Sequence, residues 1–134
     1  MSDDVSYREA IEQVVGLLKS RWATAVLTAL AAGPLRFTDL LAEINEAEAR
    51  SGLADHRKPL TEKVLTATLR PMERAHLIQN HRQAATFAGG SWYELTVHGK
   101  TLLRSLRPVV AWAMDYHAAM APSRDRQSRD EPRE

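Results

Sequence analysis

Amphipathic helical stretches, interrupted once by a pair of short strands, constrain this chain more than any other feature of its sequence. Apolar residues recur at three- and four-residue steps in Tyr7, Ile11, Val14, Val15 and Leu18, then in Trp22, Ala25, Val26, Ala29 and Leu30, then in Leu40, Leu41 and Ile44. Each series marks one buried helix face. Ser20 and Thr38 stand where the second and third helices need N-caps, and Gly33-Pro34 stops the second. Leu35-Arg36-Phe37 has room only for a small strand. From Asn45 to Pro59 the periodicity fades, predicting a fraying helical extension and then a loop. Thr61 caps a fourth helix with Val64, Leu65, Leu69 and Met72 turned inward, and Pro71 is expected to kink or restart it near Arg70.

Leu77 to Arg82 and Ser91 to Leu95 predict the strands of a β-hairpin whose loop contains Gly89-Gly90. A last helix, capped by Thr96 and bent at Pro108, carries Leu102, Leu103, Leu106, Val109, Val110, Ala113 and Tyr116, a stripe broader than one core contact needs. The 134 residues therefore predict one mainly α domain with a small hairpin over 7–120, after a flexible 1–6 and before a disordered charged tail, 121–134.

Composition excludes several chemistries. With no cysteine there is no thiolate nucleophile, no cysteine-ligated zinc or iron–sulfur site and no thiol switch. His56, His76, His81, His98 and His117 include no helical pair at metal spacing, so neither a metal nor another cofactor is expected. No nucleophile elbow, phosphate-binding glycine loop or paired-carboxylate motif is present, which argues against an enzyme. No apolar run approaches the roughly 20 residues that span a bilayer, and the acidic start Met1-Ser2-Asp3-Asp4 is unlike a signal peptide; a cytoplasmic protein with no membrane partner is expected.

The formal charge of +1 conceals a polarised chain. Between His56 and Arg82, Arg57, Lys58, Lys63, Arg70, Arg74 and Arg82 face only Glu62 and Glu73, whereas from Asp39 to Asp55 five carboxylates, Asp39, Glu43, Glu46, Glu48 and Asp55, oppose only Arg50. The basic segment contains the fourth helix. The element order, helix, helix, short strand, helix, helix, strand, strand, helix, is that of a winged helix-turn-helix, in which one helix enters the DNA major groove and a hairpin lies along a phosphate backbone. Lys63, Thr66 and Arg70 form a polar stripe opposite Leu65, Leu69 and Met72. Lysine and arginine suit guanine O6 and N7, and threonine can donate to a base or pack its methyl on thymine. The expected DNA-binding set is Arg36, Thr38, Arg57, Lys58, Thr61, Lys63, Thr66, Arg70, His81 and Arg82. A solvated amphipathic face would look the same in isolation; the flanking cations supply the context that favours DNA.

Ser20-Arg21-Trp22, Val26-Leu27, Leu30, Gly33-Pro34-Leu35-Arg36-Phe37 and Leu40, followed in order by Val64-Leu65, Leu69-Arg70, Met72-Glu73, Leu77-Ile78, Tyr93-Glu94-Leu95-Thr96, Gly99, Pro108 and Trp112, resemble the HxlR-type winged helix-turn-helix regulators, relatives of the MarR type. The resemblance implies a bacterial, homodimeric DNA-binding regulator whose first and last helices form the dimer interface. On this chain those helices offer Tyr7, Ile11, Val14, Leu102, Leu106, Val109, Trp112 and Tyr116. Three departures stand out. The oxidant-sensing cysteine of many members is absent, the Asn45 to Pro59 segment is longer than the usual connection, and His76 replaces a helix-ending glycine. With thiol sensing excluded, two alternatives are left for control: a small lipophilic or aromatic effector at Trp22, Trp112, Met114 and Tyr116, or no sensing at all. A repressor acting on a pseudo-palindromic site is expected, since occupancy alone blocks a promoter. The rival reading is a winged-helix module that binds protein and no DNA.

Overall fold

The structure, a computed structural model, describes residues 5–51, 58–82 and 91–129. Helix α1 spans Tyr7–Lys19 and α2 spans Arg21–Ala29, continued by a 3₁₀ turn at Leu30–Ala32. Strand β1 is Leu35–Arg36, followed by α3 at Phe37–Ser51 and α4 at Glu62–Arg74. Strands β2, Ile78–Arg82, and β3, Ser91–Leu95, precede α5 at Val97–Ser105 and α6 at Arg107–Arg129. Residues up to Lys100 make one compact unit and those from Thr101 a second.

The helix starts are held by side-chain caps. Ser6 and Glu9 form a capping box on α1, Ser20 accepts from the Ala23 N–H at 3.2 Å, and Thr61 accepts from the Val64 N–H at 3.2 Å. Thr96 accepts from the Gly99 N–H at 3.1 Å, as its position predicts. Thr38 does not cap α3. That helix begins one residue earlier, with Phe37, and Thr38 lies exposed within its first turn. At the other end of α2, Gly33 sits at φ 150°, which favours glycine and lets the chain enter β1.

Within the first unit the core is purely apolar. Leu27, Leu30, Leu40, Ile44, Leu65 and Leu69 are all fully buried, and no polar or charged residue is buried among the described residues. Leu27 adds to the stripe expected for α2, while Val64, expected inward, is 40% exposed. The three strands pair antiparallel in the order β1-β3-β2, with Leu35 opposite Tyr93 and Ile78 opposite Leu95. Alternation along β3 sends Tyr93 and Leu95 inward and leaves Trp92 and Glu94 on the outer face. Gly99 is required where α5 meets the end of α4's connection to β2: a Cβ there would lie 2.2 Å from the Leu77 carbonyl oxygen.

Pro71 does not break α4. Proline cannot donate to the Ala67 carbonyl, but both residues are exposed, so water can serve that oxygen, while buried Leu69 and Met72 hold the helix on either side. The helix ends instead at Arg74 and is closed by His76, two residues on, whose φ of 59° is in the left-handed region. Its N–H donates to Glu73 O and the Leu77 N–H to Met72 O, both at 3.0 Å, a Schellman closure made without glycine.

In the second unit, Leu106 separates α5 from α6, donating to the carbonyls of Leu102 and Leu103. The expected bend at Pro108 is thus a break two residues earlier, and Pro108 occupies the first turn of α6, where no N–H is needed. Helix α6 runs to Arg129, through residues 121–129 where a disordered tail is expected; arginine and glutamine are good helix formers, and extending an existing helix is far easier than starting one. Val109, Val110, Trp112, Met114, Tyr116 and Met120 along it are all at least half exposed, with Trp112 and Tyr116 stacked at 5.1 Å. Among the described residues no single helix is long and apolar enough to cross a membrane.

Candidate nucleic-acid interface

Helix α4 presents two unlike faces because its apolar residues repeat at helical spacing. Leu65, Leu69 and Met72 anchor it in the core, and Lys63, Thr66, Ala67 and Arg70 line one shallow concavity on the other side. The expected stripe is therefore assembled. Thr66 plays a narrower part than its composition suggests: its hydroxyl donates to the Glu62 carbonyl at 2.9 Å, so toward solvent it offers lone pairs and a methyl group. Thr61 is likewise engaged, as the N-cap of α4, while Lys58 is exposed just before it. Arg57 lies outside the described residues.

On the outer face of the sheet, Arg36 and His81 both stand opposite Trp92 in register. The Arg36 guanidinium lies over the Trp92 ring, 4.8 Å from its centroid, held by the ring's quadrupole without losing access to water. His81 Nε2 is hydrogen-bonded to Glu94 Oε1, so the ring is engaged by a carboxylate on the neighbouring strand. Of the two, Arg36 is the cation free to face an anion. Arg82 ends β2, at the hairpin side of the sheet. Glu62 and Asp39 sit exposed in the first turns of α4 and α3, where helix dipoles favour them.

Trp92 and Glu94, which the sequence does not single out as partners of these cations, are the residues that Arg36 and His81 touch. Strand alternation in Ser91–Leu95 could have put Trp92 and Glu94 outward, but nothing local pairs them with Arg36 and His81. Trp22, expected at an effector site, is half-buried on α2 with the Arg21 guanidinium 4.1 Å from its ring centroid; Arg21 also pairs with Glu48 of α3 at 2.7 Å.

Helices α3 and α4 in succession, the second with a basic outer face, followed by the antiparallel strands β2 and β3, are the arrangement of a winged helix-turn-helix, the fold of DNA-binding transcriptional regulators. The HxlR-like helix-turn-helix family matches residues 17–121, and the chain belongs to that family, which is one of regulators and not of enzymes. Comparison with curated proteins gives no significant match. Among solved structures, a MarR-family transcriptional regulator from Enterococcus faecalis V583 is similar at a TM-score of 0.71, with 19% identity over 90% of this chain and 97% of that one. The reduced form of the transcriptional regulator YodB from B. subtilis gives 0.60, at 23% identity, covering 82% and 92%. The quinone-bound form of YodB gives 0.55, at 25% identity, covering 79% and 96%.

Proposed function

We propose that the chain is a homodimeric repressor that binds a pseudo-palindromic operator, its two α4 helices in successive major grooves about one DNA turn apart. The observation that carries this is the outward face of α4, where Lys63, Thr66 and Arg70 gather opposite a fully apolar anchor. Lys58 and Arg36 flank it as phosphate contacts, with Arg82 on the wing and Thr38 and Thr61 at the neighbouring helix starts. The homodimer is supported by exposed apolar side chains that call for a covering partner on each of two helices: Tyr7 at 84% and Ile11 at 45% on α1, and, separately, Trp112 at 64% and Val109 at 54% on α6. A small aromatic or lipophilic effector is the third element of the reading. The stacked Trp112 and Tyr116, with Met114, suit a flat apolar molecule, and the quinone complex of YodB gives a relative's example. Binding here would be non-covalent with respect to sulfur, since the chain has no cysteine.

The test uses a duplex selected by the protein from a random-sequence pool. Arg70→Ala is expected to weaken binding by about 1–3 kcal/mol and to relax preference at one position, whereas Arg36→Ala weakens all duplexes alike and reduces the salt slope by about one. Anisotropy titrations in which the wild-type protein shows no salt-dependent duplex affinity would overturn the reading and favour a protein-binding module.

A further inference from the structure

Leu60 is buried, at 3% exposure, and lies in neither a helix nor a strand, so its backbone N–H and carbonyl need partners from elsewhere. One side chain supplies both. Asn45, in the third turn of α3 and 15 positions away in sequence, accepts from the Leu60 N–H through Oδ1 at 2.8 Å and donates to the Leu60 carbonyl through Nδ2 at 3.1 Å. A carboxamide is the side-chain group that presents a donor and an acceptor side by side as a peptide does. The contact closes the neck of the long connection between α3 and α4. Leu60 is followed at once by Thr61, the N-cap of α4, and Lys63 comes two residues later.

We propose that Asn45 is a positioning residue for DNA recognition: by pairing both backbone groups of Leu60 it sets where α4 begins relative to α3, and hence where Lys63, Thr66 and Arg70 meet the bases. The inference rests on α4 being the reading helix. Asn45 itself touches no DNA. In a tight helix-turn-helix the short turn fixes the angle between its helices; here the connection is long, and the amide does that work at its neck. A displacement of about 1 Å suffices to spoil bidentate base contacts, while phosphate contacts from flexible lysine and arginine side chains tolerate it.

The experiment compares the wild-type protein with Asn45→Ala, Asn45→Gln and Arg70→Ala on two duplexes, the pool-selected sequence and a scrambled sequence of equal length. Each variant is assayed well below its melting temperature. Asn45→Ala is expected to lower the ratio of selected to scrambled affinity at least tenfold, leaving the salt dependence on the scrambled duplex unchanged. Asn45→Gln keeps both polar groups on a longer arm, is expected to fold, and should lower the ratio by a smaller factor. A purely structural role would reduce the folded fraction and scale both affinities equally. An unchanged ratio in Asn45→Gln, and in Asn45→Ala if it folds, overturns the inference. If Arg70→Ala lowers the ratio while the Asn45 variants do not, only the role of Asn45 is lost; if the wild-type protein prefers neither duplex, the reading of α4 falls first.

Discussion

Helix α4 and helix α6 carry similar apolar content and put it to opposite use. In α4, Leu65 and Leu69 are at 0% and 1% exposure, covered by the chain's own core; in α6, Trp112 and Met114 stand at 64% and 67%. The same periodic pattern thus states what must be covered but not by which molecule. In α4 the pattern is narrow, about one face wide, and one set of neighbours satisfies it. Along α6 apolar residues spread over several faces, a distribution expected of a helix surrounded by others.

The comparison can be broken by substitution. Leu65→Ala should cost about 3–5 kcal/mol of folding stability, because the site is closed on all sides and cannot collapse around the cavity; urea unfolding would read it as a lower midpoint at unchanged slope. Trp112→Asp should leave secondary structure intact and instead weaken self-association by about 2–3 kcal/mol, a rise of around a hundredfold in the dimer dissociation constant by sedimentation. A Trp112→Asp chain that unfolds as Leu65→Ala does would show that α6 is covered from within. The smallest effect tests the end of α4. His76→Gly should stabilise the fold by about 0.4–1 kcal/mol, since glycine occupies φ 59° without a Cβ penalty; a lower melting temperature would mean that the imidazole contributes more than its backbone strain costs.

These contrasts also explain what the sequence disclosed. Caps are local, so Ser20, Thr61 and Thr96 announce helix starts before any tertiary contact is known, and the alternation in Ser91–Leu95 announces a strand. Local rules fail where packing outweighs them. Phe37 is drawn into α3 ahead of the better-capping Thr38, and buried Leu69 and Met72 carry α4 through Pro71. At the interface, the stripe of Lys63, Thr66 and Arg70 follows from helical spacing alone. Arg36 on Trp92, His81 on Glu94 and Asn45 on Leu60 do not, because each pair joins segments that only the folded chain brings together. No local signal marks a residue whose partner is 15 positions away in sequence.

The corner between α1 and α2 has a consequence of its own. Ser20 alone separates the two helices, it caps the second, and the Thr24 hydroxyl donates back to the Leu18 carbonyl at 3.2 Å, while the helix axes bend by 81°. Such a joint has no slack to take up an added residue. One extra residue inside α1 would rotate everything before it by about 100° around the helix axis, turning Tyr7 and Ile11 to a different side. Among related chains, length changes should therefore collect ahead of Ser6 or between α3 and α4, and be absent from the stretch running from Tyr7 to the Ser20 corner.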